Sequence, residues 1–525
     1  MNIDFKKKPV IRTQTVLVRR SNTPAQSPSP QATPRPRPKL PTPVSRAPAS
    51  SSRLNGATVS SHVAAAGSRR HVSAPAVPTV KRTLIKRKAP TPATPLSSDS
   101  EGSDADDSLD RELTPRKRIR ASHSLEPDLQ RKLRAAPLKP ADGSNAPVRL
   151  KILHGADLVK SDHWKDDSVQ GYHATKDFKP AFEGLDEIPV VGLQYPSRSQ
   201  PERFSLVYPR ESDGYKPLED IIQSVETICK HYFPDEAETL IDEGTGYPRR
   251  LKRAVQQQSI SAFKDVLAEF NKMVSGAVAS GKTDRALDEL QSMPLSLTEY
   301  ILSQTYARTV SPRVNSLRRY EAGSNNVYGE LLPRFVHRIF QETKLKSDQI
   351  FVDLGSGVGN VVLQAALEVG CESWGVESMP NPSYCASLQK REIMPRARLW
   401  NISLGKINLL ADDFLENQEV GRVLNRADVI VVNNKAFSPQ LNGALLDKFL
   451  DLKEGAKIVS LKPFVDPDHE IKSHNVNDRV NLFSCTEKEY FSGSVSWTDE
   501  GGKYYIQVKD RSRLDKFLEG SRRRR

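Results

Sequence analysis

The stretch Phe351-Val352-Asp353-Leu354-Gly355-Ser356-Gly357-Val358-Gly359-Asn360 constrains this chain more than any other. An apolar run leads through Asp353 into a turn with glycine at alternate positions, and Val361-Val362-Leu363-Gln364-Ala365-Ala366-Leu367 then opens a helix. Glycines lack a Cβ, so the backbone there turns tightly and comes close to a ligand. The helix behind them presents unpaired N–H groups. Turns of this kind lie at the carboxyl ends of strands in open α/β sheets, where such sheets bind ligands. The glycine spacing after an acid distinguishes the stretch from an ordinary strand–loop–helix connection.

The surrounding pattern supplies a sheet for that turn. From about residue 328 helical and strand patterns alternate. Leu332, Phe335, Val336, Ile339 and Phe340 form a helical stripe. Strands are predicted at 350–354, 373–377, 407–410, 429–432 and 457–461, with a final pair at 480–483 and 504–508. This alternation argues a doubly wound, mostly parallel sheet over residues 328–510. Residues 216–327 read as a helical subdomain, because Leu218, Ile221, Ile222, Val225 and Ile228, then Phe263, Val266, Leu267, Phe270 and Val274, recur at helical spacing. These stripes are core packing. Residues 151–215 mix aromatics (Trp164, Tyr172, Phe178, Phe182) with turn formers and form a poorly determined transition. Residues 511–525 end on Arg522-Arg523-Arg524-Arg525, a basic terminus.

Charge is distributed unevenly. Residues 1–150 hold 20 of the 37 prolines and 28 Lys and Arg against 11 Asp and Glu, an excess of +17. The whole chain carries +14, which leaves −3 for residues 151–525. A basic, Pro/Ser-rich segment with few aromatics buries too little surface to offset its ordering entropy. It reads as a disordered tail drawn to polyanions, DNA first. Thr33-Pro34-Arg35-Pro36-Arg37-Pro38-Lys39 suits a solvated polyproline-like linker. Ile85-Lys86-Arg87-Lys88 and Arg116-Lys117-Arg118-Ile119-Arg120 are short basic clusters of the nuclear-import kind, which points to the nucleus. Ser97–Asp104 and Thr114 offer phosphorylation sites. Cys229, Cys371, Cys385 and Cys485 have no metal-ligand or disulfide spacing, so no metal is expected. No run of about 18 apolar residues is present, so no membrane partner is expected.

Two ligand classes compete for the turn. The dinucleotide pattern runs G-x-G-x-x-G, whereas here the spacing is G-x-G-x-G with Asn360 in the last place. Asp353 could receive an ammonium. Glu377 ends the next strand and could accept both ribose hydroxyls, which fits NAD and S-adenosylmethionine equally. The glycine spacing and Asp353 favour S-adenosylmethionine. Asp413 and Phe414, after the third strand, pair a hydrogen-bond acceptor with an aromatic face suited to adenine. Asn433-Asn434-Lys435-Ala436-Phe437, after the fourth, could orient an amine and shield a developing methyl cation, or could be an Asn-rich turn. Val327-Tyr328-Gly329-Glu330-Leu331 could close over the cofactor. The Asn-Asn-x-x-Phe turn is distantly similar to the motif of DNA amino-methylating enzymes but lacks its proline. A non-catalytic chromatin-binding protein of the same fold is a further alternative.

In this order, Tyr328-Gly329-Glu330, Asp353-Leu354-Gly355-Ser356-Gly357-Val358-Gly359-Asn360, Gly375-Val376-Glu377, Val432-Asn433-Asn434 with Phe437, and Ser494-Val495-Ser496-Trp497-Thr498 resemble the disruptor-of-telomeric-silencing histone methyltransferases. The resemblance covers about residues 300–510, and the basic extension before a helical subdomain is similar to the fungal members. It implies a class I, seven-stranded Rossmann-like fold that depends on S-adenosylmethionine. It implies a non-SET enzyme that mono-, di- and trimethylates a lysine on the folded core surface of histone H3. The nucleosome would be the substrate, commonly with ubiquitinated histone H2B, with roles in telomeric silencing, chromatin regulation and the DNA-damage checkpoint. Carried over, Tyr328, Gly329, Glu330 and Leu331 would form the loop over the cofactor. Phe351, Val352, Asp353, Leu354, Gly355, Ser356, Gly357, Val358, Gly359 and Asn360 would cradle it, Glu377 would hold the ribose, and Asp413 with Phe414 the adenine. Val327, Asn433, Phe437, Trp497 and Tyr504 would line the lysine channel. Lys435 departs from a position often aromatic in this family, and a cation beside a lysine channel would disfavour the substrate, so Lys435 is expected to point outward. No residue stands out as a general base.

Overall fold

The computed structural model describes residues 125–139, 146–159, 177–185, 187–212, 214–317 and 328–523. The basic and phosphorylatable motifs before residue 125, Trp164, Tyr172, Val327, Arg524 and Arg525 lie outside them.

The transition region forms two small antiparallel sheets, β1 (Phe178–Pro180) with β4 (Val207–Pro209) and β2 (Val190–Leu193) with β3 (Glu202–Ser205). Seven helices follow: α1 (Pro217–Tyr232), α2 (Ala237–Leu240), α3 (Tyr247–Gln256), α4 (Ile260–Ala279), α5 (Lys282–Asp288), α6 (Leu295–Thr309) and α7 (Val314–Leu317). The apolar stripes of α1 and α4 are buried, as their spacing predicts.

Helix α8 (Pro333–Thr343) leads into the main sheet, built in chain order from β5 (Ile350–Leu354), α9 (Asn360–Gln364), β6 (Glu372–Val376), α10 (Pro380–Leu399), β7 (Ile407–Leu410), α11 (Gln418–Leu424), β8 (Val429–Val432), α12 (Pro439–Phe449), β9 (Lys457–Ser460), β10 (Phe483–Tyr490), β11 (Gly502–Lys509) and α13 (Ser512–Arg523). The strand order is β10-β11-β9-β8-β5-β6-β7, with β5 to β9 parallel and the last two strands antiparallel. This is the seven-stranded class I arrangement. All four residues of β8 are buried, as in a strand covered on both faces. The order reverses between β5 and β8, which opens a crevice at their carboxyl ends.

Two expectations change. The segment 480–483 is a 3-10 turn, Arg479–Leu482, opened by the Asp478 side chain accepting from the Val480 N–H at 3.1 Å, and the strand begins at Phe483. Residues 125–139, read as part of the disordered tail, instead form a strap along the folded body. Leu133 is buried, Ala135 N–H donates to the Asn401 carbonyl at 2.9 Å, and Arg134 pairs with Asp288 at 2.9 Å. The Arg131 guanidinium donates to the carbonyls of Leu367 (2.9 Å) and Ser403 (2.8 Å), and burial brings its pKa down to about 10. Net charge says where a chain is soluble, whereas one arginine aimed at two carbonyls fixes a strap.

The helical subdomain joins the sheet through one apolar cluster and one charged one. Trp400, fully buried, meets Tyr195 (4.9 Å between ring centres, 83°) and Tyr300 (5.8 Å, 87°) edge on. Beside it lie Glu202, Arg308 and Arg396, none of them exposed. Arg308 contacts Glu202 (2.8 Å) and Asp220 (2.6 Å), while Arg396 contacts Glu202 (3.1 Å) and Glu392 (2.7 Å). Both arginines donate to the Leu153 carbonyl at 3.1 Å. Removing one member of such a cluster leaves the others charged and dry. Glu202→Ala is therefore expected to lower unfolding free energy in urea by about 3–5 kcal/mol. A loss near the ~1 kcal/mol of a surface pair would mean the cluster is hydrated.

Candidate active site

The site is built at the strand reversal. Asp353 stands on β5 opposite Gly375 of β6 and Val431 of β8. Beyond it Gly355, Gly357 and Gly359 all take left-handed backbone angles (φ +85°, +55° and +86°), which a side chain would strain. A Cβ on Gly357 would come within 3.1 Å of the Tyr328 ring, and one on Gly329 within 2.6 Å of the Trp497 indole. Loop and turn therefore approach each other with only backbone between them.

A cleft of about 390 Å³ opens there, in the range of small-molecule sites. It is lined by Tyr328, Gly329, Gly355, Gly357, Glu377, Asp413, Phe414, Asn433 and Phe437, together with Ser316, Leu317, residues 378–382 and Leu441. A smaller hollow shares Tyr328, Gly329, Gly355, Gly357 and Asn433 with it and adds Glu330, Leu331, Asp353, Ser356, Val358, Asn360 and Val361.

The electrostatics of the cleft are acidic. Glu377 accepts from the N–H groups of Gly357 (2.8 Å) and Met379 (2.7 Å), which fixes the carboxylate while leaving lone pairs for a ligand. Burial raises its pKa. Glu330 accepts from the Tyr306 hydroxyl (3.0 Å), the Tyr328 hydroxyl and the Asn360 amide (3.0 Å), and burial raises it as well. Asp353 borders the hollow, and burial together with the charge of Glu377 pushes it up to about 8. Among the described residues, no Lys or Arg lines the cleft or the hollow. A dinucleotide pyrophosphate would meet carboxylates without a counter-charge. A ligand with an ammonium and a sulfonium would relieve them. The residues thus fit S-adenosylmethionine: Asp353 and Glu330 face the hollow, Glu377 is held ready for a ribose, and Phe414 lies tilted on Phe437 (6.2 Å, 31°) as an aromatic wall.

The Tyr328–Leu332 loop is pinned from two sides. Glu330 N–H donates to Ser496 Oγ and its carbonyl accepts from the Ser496 N–H, both at 2.9 Å, and Leu332 N–H donates to the Ser494 carbonyl at 2.9 Å. Asn433 Nδ2 donates to the Gly329 carbonyl at 3.1 Å. Asn434 does a different job. Fully buried, it accepts from the N–H groups of Leu461 (3.0 Å) and Lys462 (2.8 Å) and donates to Asn442 (3.0 Å) and the Lys462 carbonyl (3.1 Å). It locks the end of β8 to the end of β9 and so aims Asn433. Lys435 is exposed, pointing outward as expected.

Some expected site residues are elsewhere. Phe351, Val352 and Leu354 are buried in the apolar cores rather than in the cleft lining. They hold Asp353 in register. Tyr504 is also core: it packs edge on against Phe335 (5.1 Å, 81°) and its hydroxyl donates to Glu342 at 2.5 Å. On β11 its side chain falls on the face covered by α8, which sequence spacing does not reveal. Trp497 reaches the site through Gly329 rather than as part of the cleft lining. Ser316, Leu317, Ser378, Met379, Pro380, Asn381, Pro382 and Leu441 were not expected. For the residues after Glu377 a signal existed, since they complete the strand-to-helix turn that begins with it. For Ser316 and Leu317, placed by the helical subdomain, none did.

The model of the histone methylation protein DOT1 family matches residues 306–509. The H3 lysine-79-specific histone-lysine N-methyltransferase of Aspergillus fumigatus is 48% identical over 437 residues, which cover 83% of this chain and 84% of the relative. That of Emericella nidulans is 47% identical over 437 residues, with coverage of 83% and 84%. That of Yarrowia lipolytica is 44% identical over 324 residues, 60% of this chain and 65% of the relative.

Asp353 yields a pH prediction. With its pKa up at about 8, the free protein holds a proton there near neutrality. A bound ammonium favours the carboxylate, so S-adenosylmethionine binding should release a proton near neutrality and weaken as pH falls below about 8. Calorimetry in buffers of different ionisation enthalpy reads this release directly, and Asp353→Asn should abolish it. Proton release unchanged in that variant would place the ammonium elsewhere.

Proposed function

This chain belongs to the DOT1 histone methylation family, and on that premise we propose that it transfers methyl groups from S-adenosylmethionine to the histone H3 core lysine, lysine 79, for which its relatives are named. The observation that carries the reading is the Asn433–Gly329 clasp, which joins an acidic cofactor cleft to an amide at the neighbouring strand end.

S-adenosylmethionine supplies an electrophilic methyl on sulfur when bound. The residues of this chain do the rest. Asn433 spends its Nδ2 on the Gly329 carbonyl, which leaves its carboxamide oxygen to accept from the substrate amine. Phe437 and Phe414 give that side of the cleft an apolar wall. A lysine amine has a reference pKa of about 10.4. An apolar, narrow approach lowers it by desolvating the ammonium, and the neutral amine attacks in line. No side chain is assigned as general base, so rate enhancement comes from positioning in a dry site.

We place the enzyme on chromatin in the nucleus. The basic tail would hold it on nucleosomal DNA, and ubiquitin on histone H2B would be a further contact. Roles in telomeric silencing and in the DNA-damage checkpoint rest on the family alone.

The decisive measurement is radiolabelled methyl transfer to nucleosomes, free histone H3 and naked DNA. Label on H3 in intact nucleosomes is expected, and label on DNA would sink the reading. Asn433→Ala should lower turnover about 10²-fold and, by freeing the Gly329 carbonyl, weaken cofactor binding by much less, while equal loss of both would contradict its substrate-side role. Gly357→Arg should abolish S-adenosylmethionine binding by forcing a side chain against Tyr328. Deleting residues 1–124, which leaves the strap intact, should flatten the salt dependence of nucleosome binding. An unchanged slope would remove the tail from DNA contact.

A further inference from the structure

Glu368 is a fully buried carboxylate outside the cleft, on the helix that starts at the glycine turn. It sits in a π-turn, Ala365–Val369, which continues α9 with one extra residue per turn. Such turns are rare and frequently mark functional sites. Its partners are few and specific. Gln364 Nε2 donates to Glu368 Oε2 at 2.8 Å and also to the Pro333 carbonyl at 2.8 Å. The other Glu368 oxygen meets His337 Nδ1, and His337 Nε2 is buried with no hydrogen-bond partner among the described residues. Pro333 begins α8 and His337 follows one turn later, so both contacts fall where α8 starts, directly after the Tyr328–Leu332 loop. From α6, Glu299 faces the same group, paired with Arg334 at 3.3 Å.

We propose that Gln364, Glu368 and His337 form a relay that fixes the cofactor loop relative to the glycine turn, with Glu368 as a positioning residue for S-adenosylmethionine binding. The loop precedes α8 and the glycine turn precedes α9. How α8 lies on α9 thus helps to set their separation, alongside the Asn360–Glu330 bond and the Ser494, Ser496 and Asn433 contacts, and the relay is a polar tie between the two helices. Glu368→Ala would leave His337 with neither nitrogen bonded and Gln364 with one acceptor, a costly state in a dry site. The start of α8 then shifts to find new partners and the loop spends less time closed. Affinity for the cofactor falls with the population of the closed form. Chemistry in the closed complex is unchanged, because Asn433 and Phe437 are held by the β8 and β9 ends instead.

The test uses the full chain with nucleosomes as substrate and rests on the methyl-transfer reading. Glu368→Ala is expected to raise Kd and KM for S-adenosylmethionine about tenfold, with kcat at saturating cofactor within about twofold. Glu368→Gln should restore near-normal KM. Its carboxamide oxygen accepts from Gln364 and its NH2 donates to neutral His337 Nδ1. Gln364→Leu, close in volume, should also raise KM and decides the matter alone if Glu368→Ala does not fold. A normal KM in folded Glu368→Ala or Gln364→Leu, or a fall in kcat with KM unchanged in either, overturns the relay. Failure of the unmodified chain to bind S-adenosylmethionine would instead overturn the functional reading.

Discussion

Two arginines with no solvent contact, Arg308 and Arg396, share the carboxylate of Glu202, and the rest of the molecule is arranged around that site. Taking these charges out of water is expensive and is offset only when every donor and acceptor is met. Asp220 comes from α1, Glu202 from β3, Arg308 from α6, Glu392 and Arg396 from α10, and the Leu153 carbonyl from the segment before β1. The cluster holds when all of these elements are in place, so it docks the helical subdomain on the sheet in one orientation. The consequence reaches the cleft. Tyr306, two residues before Arg308 on α6, donates to Glu330 in the cofactor loop, and α7 places Ser316 and Leu317 in the cleft lining.

The cleft itself is a site of deliberate electrostatic tension. Burial raises the pKa of Asp353, Glu330 and Glu377, and the charge of Glu377 raises Asp353 further. A cationic cofactor relieves that tension. The loop is held by backbone pairing to Ser494 and Ser496, by Asn433, and by the Asn360–Glu330 bond, so it bridges the glycine turn, β8 and the β10–β11 connection. One piece of chain thus ties the cleft to the β8 end that we propose faces the substrate amine.

Much of this was legible in the chain. The strands at 350–354 and 429–432 stand where the apolar runs put them, because strands covered on both faces write themselves as continuous hydrophobic residues, and the edge strand at 407–410 stands where its Ile and Leu residues put it. The strand beginning at Phe483 was misplaced because its middle, Glu487-Lys488-Glu489, faces solvent at the sheet edge and carries no apolar signal. The strap at 125–139 was hidden because its composition matches the tail, while its attachment depends on the place of single residues such as Arg131.

The sequence alone determined the cofactor chemistry and the class of fold. Glycine spacing, the acid before it and the acid ending the next strand are local requirements, met by residues close together in the chain. Tertiary structure decided which residues line the cleft and which only hold the frame. Asn433 and Asn434 are neighbours of the same type, yet one clasps the loop and the other ties β8 to β9. Tyr504 belongs to the core and Leu317 to the cleft. The direction of a side chain at a strand end, and the approach of a helix from a distant part of the chain, follow from long-range packing that no local pattern encodes.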